Sequence, residues 1–149
     1  MSRFRRWYVI ADGGRARILA GDPRLHELEP VNDMESSAVH NKSHDLGSDR
    51  PGHTHESVGG SRHAVEAPDY HAKATLGFAE ALASAITEGF ESQAYDLLVL
   101  VAPSRFLSVL RASLPSAVDR LVEATLAKDL THLPLGSLTE RLAEIRRTG

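Results

Sequence analysis

The order of elements in this 149-residue chain predicts an α/β (α+β) fold, a mixed β-sheet with helices packed on it. Three observations carry that expectation. The first thirty or so residues read as a β-meander, three short strands joined by tight turns. From about residue 70 onward, helical and strand patterns alternate. Between the two lies a polar stretch, residues 34–69, far longer than the usual connection inside a domain. The length suits one domain with a core that needs no covalent staple.

Each element has its own signal. Trp7-Tyr8-Val9-Ile10-Ala11 is aromatic and β-branched, the composition of a buried strand. Asp12-Gly13-Gly14 is a turn signal. Ala16, Ile18 and Ala20 then alternate with Arg15, Arg17 and Leu19, the pattern of a half-exposed second strand. Gly21-Asp22-Pro23 turns the chain again, and a third strand is expected from Leu25 to Val31. Its poor alternation places it at a sheet edge. After the polar stretch, Asp69 is the expected N-cap of a helix from about Tyr70 to Ser92, with Phe78, Leu82, Ile86 and Phe90 forming the apolar stripe. Tyr95 to Ala102 is nearly all apolar, as in a central strand covered on both faces. Phe106 to Leu114 reads as a short helix. Residues 116–132 combine a helical start with a possible last strand from Glu123 to Leu130. Ser137-Leu138-Thr139-Glu140 opens a final helix, whose last turn carries Arg146 and Arg147 toward the negative end of its dipole.

Composition excludes several classes. The chain has no cysteine, so disulfides, thiolate metal ligation and a cysteine nucleophile are ruled out. A formal net charge of −3 argues against a generic polyanion binder. Residues 1–25 nevertheless carry six arginines against two aspartates, a local balance of +4 that can form one basic face. The N-terminal segment lacks the apolar run of a secretory signal, and no apolar stretch is long enough to span a bilayer. A cytoplasmic protein without a membrane contact is expected. There is no Gly-x-Ser-x-Gly elbow, no Walker loop and no dinucleotide fingerprint, and no cofactor is expected.

The polar stretch concentrates the remaining chemistry. Six of the eight histidines, His40, His44, His53, His55, His63 and His71, lie in or beside it. Gly59-Gly60-Ser61-Arg62-His63 can form a backbone nest for a phosphate or carboxylate, with Arg62 as a forked donor and His63 as a titratable group. It can equally be a glycine hinge. His53-x-His55 offers imidazoles to zinc or nickel, against the simpler reading of polar loop residues. Asp49 and Arg50, in Ser48-Asp49-Arg50-Pro51-Gly52, suit a rigid turn held by an ion pair. Asp12, Arg15 and Arg17 flank the first hairpin turn, where they can meet a phosphate or, for Asp12, cap the turn. His132 closes the polar motif Lys128-Asp129-Leu130-Thr131-His132.

Taken together, these motifs carry a resemblance. Trp7-x-Val9-x-Ala11-Asp12-Gly13-x-Arg15-Ala16-Arg17-Ile18, Asp45-Leu46, Ser48 to Gly52, Gly59-Gly60-x-Arg62-His63-Ala64, Leu98 to Pro103 and Lys128 to Pro134 follow one another as in the bacterial host attachment proteins, described as required for attachment to host cells. More remotely, the chain resembles the middle domain of the archaeo-eukaryotic peptide chain release factors. That resemblance implies a ribonuclease-H-like sheet with a Gly-Gly-Gln loop ahead of a long helix. Ser61 stands where those factors have glutamine, so peptidyl-tRNA hydrolysis does not carry over. What it implies is a non-enzymatic module that meets tRNA or the ribosome. The expected contacts are Gly59, Gly60, Ser61, Arg62 and His63, joined by Asp49, Arg50, Asp12, Arg15, Arg17 and His132. The alternatives are an adhesion factor and a metal-dependent hydrolase using the loop histidines.

Overall fold

Along strand β1 (Arg6–Ala11), Trp7, Val9 and Ala11 face one side and Tyr8 and Ile10 the other, and every residue of the strand is buried. A strand buried on both faces must lie inside a sheet that is itself covered twice. In the computed structural model, which describes residues 4–36 and 60–145 (for 60–70 the backbone alone), this is the arrangement found.

Strands β2 (Arg15–Ala20), β3 (Glu29–Glu35), β4 (Leu97–Val101) and β5 (Val122–Leu126) complete a five-stranded mixed sheet in the order β3-β2-β1-β4-β5. The meander β1-β2-β3 is antiparallel, with Val9 opposite Ile18. Strands β4 and β5 join in parallel, with Val9 opposite Leu100 and Val101 opposite Leu126. The helices are α1 (Gly60–Glu91), α2 (Ser104–Ser113), the single turn α3 (Ser116–Asp119) and α4 (Leu135–Ala143).

The period-two alternation sorts the core into two layers. On one face Trp7, Val9, Ile18, Leu98 and Leu100 pack against Phe78, Leu82 and Ile86 of α1 and Phe106 and Leu110 of α2. On the other, Tyr8, Ile10, Leu19, Val99 and Val101 meet Leu138 and Leu142 of α4. Arg6, the first residue of β1, reaches across β4 to Glu123 of β5, and both side chains are buried. Helix α1 lies close on the sheet because residue 89 is glycine: a Cβ there would meet Trp7 Cη2 at 2.4 Å.

Several boundaries differ from the expected ones, and the last strand ends at Leu126 rather than Leu130. The third strand begins at Glu29 rather than Leu25. Asp22 accepts a hydrogen bond from Arg24 N at 3.0 Å, and Pro23 opens a 3-10 turn through Leu25. Gly21, at φ 130°, fits against the Glu27 carbonyl, where a Cβ would lie at 1.8 Å from the oxygen. The strand is at the sheet edge, as its weak alternation implies, and it carries Glu29, Pro30, Asp33 and Glu35 there. Helix α1 starts at Gly60, not near Tyr70, so the connection ends earlier than residue 69, and Asp69 is an interior residue rather than a cap. Pro68, which lacks an N–H and crowds the preceding turn, marks a break in the sequence pattern that the helix runs through. The final helix starts at Leu135, behind Pro134, instead of at Ser137. Residues 116–126 contain both ambiguous elements, a helical turn and then β5.

Candidate functional site

Strands β1, β4 and β5 are parallel, so their carboxyl ends share one edge of the sheet. In sheets of this kind the residues just past those ends are free of the ladder and collect chemistry. Here β1 leads into Asp12 and β5 into Asp129, and the two meet.

Asp12 opens the β1–β2 turn. Its amide donates to the Arg15 carbonyl at 2.9 Å, and its Oδ1 accepts from Gly14 N at 2.8 Å. That is an Asx turn, which leaves Oδ2 outside the turn's own hydrogen bonds. Asp129 has the same design. Its Oδ1 accepts from Thr131 N at 3.0 Å and from Thr131 Oγ1 at 2.6 Å. The Thr131 hydroxyl also lies 3.4 Å from Asp12 Oδ2, and the residue is only 4% exposed. Thr131 thus sits between the carboxylates. The imidazole of His132, 70% exposed, brings Nε2 to 4.0 Å from Asp129 Oδ2. One ligand atom each from Asp12, Asp129 and His132 lies within 4.8 Å of the others.

Burial of Asp129 works to raise its pKa. The Thr131 hydroxyl and amide bonds, with the charges of His132 and Arg15, outweigh this and hold the carboxyl below its ordinary value. Arg17 secures the loop, donating from Nη1 to the Thr131 and Leu133 carbonyls at 3.2 and 2.7 Å. Arg15 turns away to Glu35, at 3.3 Å.

Helix α1 leaves the domain at the same edge. Thr75 Cγ2 lies 3.6 Å from the Cβ position of Gly13, in the β1–β2 turn, while Gly89 abuts Trp7 at the opposite end of β1. The stretch from Thr75 to Gly89 therefore covers the sheet. The helix itself begins fifteen residues before Thr75, at Gly60, about 22 Å of helix at 1.5 Å per residue. His71, Ala72 and Lys73 are exposed, as in an arm clear of the core.

The structure thus brings Asp12, Arg15, Arg17 and His132 together at the root of this arm and puts Gly60, Ser61, Arg62 and His63 in its first turns. Asp49, Arg50, His53, His55 and Gly59 lie outside the described residues. Asp129 and Thr131 were not among the expected site residues. Their signal was Asp-x-Thr directly after a strand, the same local hydrogen-bonding chemistry that marks Asp12.

The model of the family described as "protein required for attachment to host cells" matches residues 7–142. The chain belongs to this family. The host attachment match runs from β1 into α4, so it takes in Asp12, Asp129, His132 and the whole of α1. No curated protein matches the chain. Among the described residues, no helix is long and apolar enough to cross a membrane.

Proposed function

We propose that this host attachment protein is a non-enzymatic, release-factor-like module that binds RNA, as tRNA or on the ribosome, through the Gly60–Ala74 arm. The observation that carries the reading is the arm itself. The helix extends well ahead of the Thr75–Gly89 stretch that covers the sheet, His71, Ala72 and Lys73 are exposed, and its leading turns hold Gly60-Ser61-Arg62-His63. A helix N-terminus has free N–H groups and a positive dipole end, both suited to phosphate. Arg62 adds a guanidinium that recognises phosphate with two parallel hydrogen bonds. The half-exposed Arg15 and Arg17 at the arm's root extend the cationic surface, while their bonds to Glu35 and to the Thr131–Leu133 backbone keep them close to the sheet.

Sedimentation with ribosomes from a cell lysate tests this. The expected result is co-sedimentation at low salt, lost at high salt and lost in Arg62→Ala. Protein that stays at the top of the gradient at both salt concentrations would remove the ribosome as partner. Absence of salt-sensitive tRNA binding as well would remove the RNA reading altogether.

The family description supports a second reading, direct attachment to a host cell. In that case the folded domain is exposed on intact cells, and antibody labelling without permeabilisation detects it. Labelling only after lysis would overturn it.

A further inference from the structure

We propose that Asp12, Asp129 and His132 form a binding site for one divalent first-row transition ion, of the manganese or zinc type. The site uses none of the histidines of the polar stretch, and it stands whether or not the arm binds RNA.

The donors come from two regions over a hundred residues apart and converge with one ligand atom each inside 4.8 Å. Metal–ligand bonds of about 2.0–2.2 Å need donors somewhat closer than that, a contraction that rotation of the exposed His132 ring can supply. Each carboxylate has one oxygen tied to its own turn and a second that is held only loosely. Asp12 Oδ1 is held by Gly14 N, and Asp129 Oδ1 by Thr131 N and Oγ1. Asp12 Oδ2 and Asp129 Oδ2 then face Thr131 and His132 respectively. Hydrogen bonding of a ligand's second oxygen is the usual way a metal site fixes its carboxylates.

Charge points the same way. Among the described residues, neither aspartate makes a direct ion pair with an arginine or lysine: Arg15 bonds Glu35 and acts on Asp129 only from a distance, and Arg17 goes to backbone carbonyls. Two carboxylates therefore face one another across a single hydroxyl. Their repulsion is relieved by a cation, and the imidazole defines which kind. Mixed oxygen and nitrogen donors suit manganese, iron or zinc, whereas magnesium and calcium prefer oxygen alone. Three protein ligands on an exposed edge leave coordination positions for water or for an anionic oxygen.

The test is equilibrium dialysis of the purified full chain, stripped of metal, against Mn2+ alone. About one ion per chain is expected, with Mg2+ at equal concentration failing to displace it. Asp129→Asn and His132→Ala should each weaken binding by roughly tenfold or more, while the His53→Ala/His55→Ala double variant binds like the parent. Circular dichroism accompanies each variant. Because Asp129 also holds its own loop, the exposed His132 decides the matter if Asp129→Asn misfolds. Unchanged binding in His132→Ala, loss of binding in the His53/His55 variant, displacement by equimolar Mg2+, or no stoichiometric uptake would each overturn the site.

Discussion

Thr131 places one hydroxyl between two sequence-distant aspartates, bonding Asp129 at 2.6 Å with Asp12 Oδ2 at 3.4 Å. Removing it in Thr131→Val leaves Asp129 Oδ1 with one donor fewer, a loss of about 1 kcal/mol in stability. The same change raises the Asp129 pKa, which carbon-detected NMR titration reads directly. The sign follows from linkage: a carboxyl held below its unfolded value stabilises the fold at pH above about 4, and that contribution disappears as pH falls through the folded pKa. The parent should therefore lose stability in acid more steeply than Thr131→Val, in chemical denaturation between about pH 5 and pH 2. Gly89→Ala is the second residue-scale case. Its methyl would strike the Trp7 ring, and pushing α1 off the sheet costs about 1–3 kcal/mol by overpacking.

Between α1 and β4, Tyr95 joins two elements. Its hydroxyl donates to the Ile86 carbonyl at 2.7 Å, and its ring lies 4.7 Å from that of Trp7. Burial pushes the phenol up to about 12. A raised phenol leaves the fold's stability intact below about pH 10, and the stability declines as pH climbs toward 12 because only the unfolded chain ionises freely. Tyr95→Phe should cost about 1 kcal/mol at neutral pH and flatten that alkaline decline in thermal melts. The elements that pack were legible in the chain: β1, β4 and the Phe78–Phe90 half of α1 each bury a stripe with the period of their own geometry. The first half of α1 was not. Residues 60–70 carry no apolar stripe in the sequence, so the periodicity that announces a helix is missing there, and Asp69 reads as the cap. The third strand was misplaced for a related reason. It lies at an edge, with nearly every residue exposed, and the capping chemistry of Asp22 is what sets its start.

For the molecule as a whole, the buried Arg6–Glu123 pair links the first strand to the last across β4. Glu123→Ala takes the carboxylate from a buried guanidinium, and global stability by urea denaturation should fall by up to about 3–5 kcal/mol. The site shows how far linear reading goes. Asp12, Arg15, Arg17 and His132 announced themselves through turn chemistry and charge, but their convergence depends on β1 and β5 running parallel, which no local pattern encodes. Asp129 was passed over because a lone aspartate after a strand looks like any loop residue until Asp12 is placed beside it.

The outer edge of β3 has a bearing on how the protein behaves at high concentration. Among the described residues β3 is the last strand on its side of the sheet, and such an edge is a template on which another copy can add its own strand. Glu29, Asp33 and Glu35 would bring like charges together in such a junction, and Pro30 withholds a donor. The exposed Val31 is the one apolar invitation on the strand, and it is hemmed in by these residues. Asp33→Val would widen that invitation, and the variant's light scattering should climb with time faster than the parent's.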